Sequence, residues 1–310
     1  MVLSLTTAYL VAEVVGGLLT GSLALLADAG HMLADVVGLG MSLGALRIAA
    51  RPATLSKTFG FHRAEILAAV ANAVLLLGIG LGILYEAWSR LAEPHPIASL
   101  PMLLVAVGGL AVNLVSLRVL HGAADESLNL RGAFLEVISD LLGSVGAILA
   151  ALTIMLTGWQ QVDPLVSALI AAFILPRAVT LLRSGLDVLL EAAPARLDLE
   201  QMVAAMRRVP GVAAVHDVHA WTIASGYDAM SAHVEAIGRP SADVLHDLQS
   251  LLRVELGIGH VTLQVESAEH VDDGACCIAD PRCLVPVAMV GRARLDDAAE
   301  AGVPDRAAGR

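Results

Sequence analysis

Two pairs of side chains in this 310-residue chain have the chemistry to hold a divalent cation. His31 and Asp35 are four residues apart, and so are Glu136 and Asp140. On an α-helix a spacing of four stacks both side chains on one face. Two such pairs on facing helices supply one imidazole and three carboxylates, which is the number of donors a tetrahedral zinc site uses. Each donor must be free of its proton before it can bind metal, so the same groups couple metal binding to proton release. An unperturbed histidine titrates close to neutrality, and carboxylates crowded into a low-dielectric site hold their protons to higher pH. The pairs could instead be interhelical hydrogen bonds that satisfy one another through shared protons. Asp28, three residues before His31, faces the same way. It reads either as an outer group supporting the ligands or as a cap near the start of its helix.

The elements that carry these groups belong in lipid. Hydrophobic residues make up 57% of the chain and charged residues 16%, with a mean hydropathy of +0.74. Soluble domains carry about a quarter charged residues. Six apolar stretches, about 3–20, 22–49, 64–91, 97–120, 131–157 and 163–186, approach the ~20 residues needed to span a bilayer. The first is the shortest. A carboxylate at the centre of such a helix costs roughly 2.5–3.5 kcal/mol on insertion scales, so its presence there points to function. Arg47, Arg51, Lys57 and Arg63 surround the second loop, Arg118 and Arg131 flank the fourth, and Arg177 and Arg183 close the last span. Opposite them stands only Arg90, which by the positive-inside rule puts both termini in the cytoplasm. The first run has no basic leader and passes at once into another span, so it does not read as a cleavable signal peptide. With a net charge of −11 and no basic patch interleaved with aromatics, the sequence does not suggest nucleic-acid binding.

Near Asp198 the pattern changes to that of a soluble domain. Residues 198–208 read as a helix ending at Pro210-Gly211, and Val215–Ile223 and Tyr227–Ile237 alternate like strands joined at Ser225-Gly226. Residues 241–256 read as a second helix and 260–266 as a third strand. The domain expectation is therefore 1–190 for the membrane part, 191–270 for the α+β part and 271–310 for a tail lacking periodicity. Cys276, Cys277 and Cys283 crowd into that tail, as a metal cluster or as bystander thiols.

Gly21-Ser22-Leu23-Ala24-Leu25-Leu26-Ala27-Asp28-Ala29-Gly30-His31-Met32-Leu33-Ala34-Asp35 resembles the second-helix signature of the cation diffusion facilitator family. Phe59-Gly60-Phe61-His62-Arg63-Ala64-Glu65-Ile66-Leu67 is similar to the segment leading into that family's third helix. Arg131-Gly132-Ala133-Phe134-Leu135-Glu136-Val137-Ile138-Ser139-Asp140 is similar to its fifth-helix block. The resemblance covers roughly residues 3–267. It implies an all-α six-helix transmembrane domain followed by a small α+β ferredoxin-like cytoplasmic domain. It further implies a homodimer in a bacterial inner membrane that exchanges cytoplasmic Zn2+, with Cd2+ and Co2+, for protons. His216, His233 and Glu266 fall at positions resembling the family's cytosolic ligands, which makes zinc a regulatory ligand as well as the substrate. Cysteines in related animal transporters extend the candidate ligands to Cys276, Cys277 and Cys283.

Two departures stand out. Zinc-transporting members usually carry a second histidine where this chain has Glu136, and a harder, more anionic site relaxes discrimination toward manganese and iron. Residues 120–127 offer one histidine and two acids, so no metal-collecting loop is expected. The remaining readings are a manganese or iron exporter of the same family and a membrane-anchored metal sensor. No His-Glu-x-x-His motif suggests an enzyme.

Overall fold

The computed structural model describes the backbone of residues 2–121 and 128–267, and the side chains of residues 6–119 and 137–266. The chain divides into two compact units after Leu186.

The first unit is helical: α1 Val2–Thr20, α2 Leu23–Ala49, α3 Ala64–Ala92, α4 Ser99–His121, α5 Leu128–Thr157 and α6 Val162–Leu189. Five of them, α2 to α6, are long and apolar enough to cross a membrane, whereas the described apolar part of α1 runs only from Thr6 to Thr20. Large side chains such as Leu19, Tyr85, Trp88 and Phe173 are three-quarters or more exposed, at 80%, 76%, 76% and 76%. A continuous apolar exterior of this kind is suited to lipid and not to water. The interior is built from small residues: Ala24, Ala106, Ala147, Ala150 and Ala151 pack together around Leu25 and Met102. Such contacts let helices approach closely where burial from water supplies no drive. α2 packs on α1, α3 and α5, and α4 on α1 and α5.

α1 stops at Gly21, whose φ of 75° suits a residue without a Cβ. Ser22 then caps α2, its hydroxyl accepting from the Leu25 amide at 3.2 Å. Asp163, fully buried in the first turn of α6, completes this end. Its carboxylate accepts from the Ser22 hydroxyl at 2.6 Å and from the amides of Leu23 and Ala24 at 2.7 and 3.2 Å. Arg90 of α3 donates to the Gly21 carbonyl at 2.5 Å and to Glu86 at 2.9 Å. The N-terminus of α2 is thereby tied to α6, and the turn before it to α3.

The second unit contains α7 Leu199–Arg207, β1 Val212–Ala224, β2 Tyr227–Ala236, α8 Ser241–Ser250 and β3 His260–Ser267. Asp198 caps α7 by accepting from the Gln201 amide at 3.0 Å. The sheet order is β1-β2-β3, with β2 antiparallel to β1 and parallel to β3. Met206, Met230, Val234, Val244, Leu248, Leu252 and Ile258 fill its core. The observed order α-β-β-α-β is the expected one. The expected helix over 241–256 is not regular, however. It ends at Ser250 and widens into one π turn, Leu251–Glu255, closed by bonds from the Leu256 amide to the Leu251 carbonyl (3.2 Å) and from Ile258 to Leu252 (3.0 Å). The wider turn accompanies complete burial of both Leu252 and Ile258.

Candidate metal centres

The first centre lies between α2 and α5. A four-residue step puts His31 and Asp35 on one face of α2, and α5 brings Asp140 up to them. His31 Nε2 is 3.6 Å from Asp35 Oδ2 and 3.8 Å from Asp140 Oδ1. One donor atom from each residue lies within 4.8 Å of the other two. Donors held at 2.0–2.1 Å around a tetrahedral zinc ion stand about 3.3–3.4 Å apart, and the two His31 separations exceed that spacing by only a few tenths of an ångström. His31 and Asp140 are buried, while a third of the Asp35 side chain remains open. Glu136 lies on α5 one turn before Asp140, but its side chain is outside the described residues.

Asp28 is not a helix cap, because Ser22 holds that role and Asp28 lies in the second turn of α2. It is buried, with its Oδ1 against Gly143 of α5; a Cβ on Gly143 would stand 2.6 Å from that oxygen. The missing side chain lets the carboxylate lie against the α5 backbone.

The second centre lies on one face of the sheet. His216 of β1 and His233 of β2 are cross-strand partners, and Glu266 comes from β3. His233 Nδ1 is 2.9 Å from Glu266 Oε1, His216 Nε2 is 3.9 Å from Glu266 Oε2, and the ring centroids are 5.4 Å apart. A bulge follows His216, with Asp217 in the left-handed region at φ 47°. The bulge sends the Asp217 carboxylate to His233 Nε2 at 3.8 Å and to His219 Nε2 at 3.0 Å. Glu235 lies 3.8 Å from His216 Nδ1. Strict alternation did not single out Asp217, His219 or Glu235. The candidate ligands Cys276, Cys277 and Cys283 lie outside the described residues, as do residues 122–127 of the loop where no metal-collecting segment is expected.

The family model described as the cation efflux transmembrane domain matches residues 1–190, and that of the cation efflux protein cytoplasmic domain matches residues 194–268. The chain belongs to the cation diffusion facilitator family.

Among relatives of this facilitator, the metal cation efflux system protein CzcD of Cupriavidus metallidurans is 48% identical over 268 residues, covering 86% of this chain and 85% of CzcD. The zinc transporter ZitB of Escherichia coli is 43% identical over 264 residues, covering 84% of each. A cadmium, cobalt and zinc/H(+)-K(+) antiporter of Bacillus subtilis is 40% identical over 274 residues, covering 87% of this chain and 88% of the other. The solved metal-bound C-terminal domain of the CzcD transporter from Cupriavidus metallidurans aligns at 33% identity and a TM-score of 0.22, covering 23% of this chain and 99% of that one.

Sequence reasoning missed two buried acids of the facilitator's helical unit. Glu13 of α1 and Asp163 of α6 are both fully buried, and Asp163 stands in the sequence only as the first residue of the last apolar stretch. The available signal for Glu13 was its position as the only charged residue in the first apolar run.

Proposed function

We propose that this facilitator exports Zn2+, with Cd2+ and Co2+ also accepted, from the cytoplasm in exchange for protons through His31, Asp35, Glu136 and Asp140. The observation that carries this reading is the meeting of His31, Asp35 and Asp140 between two apolar helices. The names of its relatives, which include efflux proteins and an antiporter, support it. In this reading six helices span a bacterial inner membrane, both termini are cytoplasmic, and the C-terminal domain is ferredoxin-like and joins two copies. When the site faces the cytoplasm, zinc displaces protons from the ligands. When it faces the other side, protons return and zinc leaves. Binding therefore strengthens as pH rises through the range in which His31 deprotonates, and weakens below it.

The deciding experiment is zinc flux in proteoliposomes with an imposed pH gradient. A membrane-anchored sensor would bind zinc and move none. Glu136→His adds a second imidazole to the site. It is expected to sharpen preference for zinc over manganese and iron, and to raise the pH at which binding is half-maximal. Competitive uptake of paired metals across a pH series reads both effects; unchanged selectivity would remove Glu136 from the ligands, and a shift toward manganese would refute the softness argument.

We assign a regulatory zinc to His216, His233 and Glu266. The domain has a hydrophobic core of its own, so residues 194–268 can be studied alone. At a zinc concentration of 100 times Kd, ligand linkage should stabilise this fragment by about 2.7 kcal/mol. His233→Ala should lose most of that gain while changing metal-free stability little. Equal zinc-dependent thermal shifts in the two proteins would remove the assignment.

A further inference from the structure

The fully buried Glu13 has no role in the quartet, yet it sits beside it. Its neighbours are the Tyr9 hydroxyl one turn earlier on α1 and the Asp28 carboxylate of α2. Tyr9 cannot readily serve it as donor, because its hydroxyl donates to the Val105 carbonyl of α4 at 2.8 Å, where the ring packs over Gly109. Neither Glu13 oxygen meets hydrogen-bond geometry with any described residue. No lysine or arginine among the described residues forms an ion pair with Glu13 or Asp28. Asp28 is in turn fixed against Gly143 of α5. Two neighbouring carboxylates, both out of water and both without a cation, cannot comfortably carry two negative charges. A single proton between them cancels one charge and supplies the missing donor.

We propose that Glu13 and Asp28 form a second proton-binding site, distinct from the metal ligands, which releases its proton as zinc binds nearby and regains it as zinc leaves. The inference rests on the antiport reading above and gives the proton a seat that the metal never occupies. The titratable groups facing Glu13 are Tyr9 on its own helix, Asp28 on α2 and, farther off, Asp140 on α5. On α4 the facing residues Val105 and Gly109 are uncharged. Beyond Asp28 along α2 comes His31. Zinc at His31, Asp35 and Asp140 adds two positive charges on that side, which favours the doubly ionised pair. Departure of zinc favours the protonated one.

The test separates movement of zinc from its coupling to protons. The full chain in proteoliposomes is given isotopic Zn2+ in two modes, exchange at equal pH on both sides and accumulation driven by a pH gradient. Glu13→Gln should retain exchange within about threefold and lose at least about tenfold of the gradient-driven accumulation. It should also release about one proton fewer per zinc bound. Asp28→Asn should also lose gradient-driven accumulation, and Glu13→Asp should retain it. Gradient-driven accumulation in Glu13→Gln equal to wild type overturns the proposal. So does parallel loss of both modes in Glu13→Gln and Glu13→Asp, which assigns Glu13 a structural part. If the wild-type protein itself shows exchange but no gradient-driven flux, the antiport reading falls; wild-type coupling that survives Glu13→Gln removes the acid pair alone.

Discussion

Asp140→Ala is expected to lower zinc flux in proteoliposomes by roughly 100-fold or more, since even the outer partners of metal ligands are worth 10–100-fold. The same variant should be no less stable to heat than the wild type in the absence of zinc. Asp140 is a buried carboxylate crowded with Asp35 around His31, and alanine relieves that crowding of like charges when no zinc is bound. Function and stability should therefore move apart, which a merely structural aspartate would not produce. Asp35→Ala should behave in the same direction, with a smaller gain in stability because its side chain is partly open. Flux and thermal unfolding in detergent, measured with and without zinc, read both outcomes. Flux near the wild-type rate in Asp140→Ala would mean that the ion binds elsewhere.

Asp163→Ala should show the opposite pattern, a large loss of stability at whatever level of transport remains. Its carboxylate takes three hydrogen bonds at the start of α2, and alanine would leave two backbone amides and a hydroxyl without that partner in a buried position. At about 1–3 kcal/mol for each unsatisfied buried group, with water able to rescue some of them, a net loss of about 3 kcal/mol is expected. On the scale of domains of this size that lowers Tm by roughly 6–12 °C. Ser22→Ala removes one of these bonds and one cap, and should cost nearer 1 kcal/mol. An unchanged Tm in Asp163→Ala would show that the α2 terminus is held by other contacts.

The parts of this facilitator that were legible in its sequence are those with a period. Apolar runs placed α2 to α6, and the four-residue step placed His31 above Asp35. His31 and Asp140 then meet, although α5 begins at Leu128, before the expected 131. His216, His233 and Glu266 were named by the family resemblance and not by alternation, and the sheet brings the three together. The groups that escaped notice act singly. Glu13 has no acidic or basic partner one turn away, so its importance comes from the fold that buries it beside Asp28 and not from spacing. Asp163 follows the same logic: Asp-Pro at a helix start reads as local punctuation, while its hydrogen bonds go to residues about 140 positions earlier. Asp217 reaches His233 only because a bulge breaks the alternation that sequence reading relies on. The π turn after Ser250 was hidden because its residues carry an ordinary helical pattern.

The tie between Asp163 and the start of α2 also has a mechanical consequence. A helix held at one end pivots there, and displacements grow along its length. At 1.5 Å per residue His31 stands about 12 Å from the anchored end, while the far end at Ala49 stands about 39 Å away. A tilt of about 5° about that anchor would carry His31 by ~1 Å, enough to break a coordination bond, and would swing the Arg47 end by more than ~3 Å. α2 would thus act as a lever whose short arm carries His31 and whose long arm ends at the Arg47–Arg63 loop. A small slackening of the grip on metal would there become a movement several times larger.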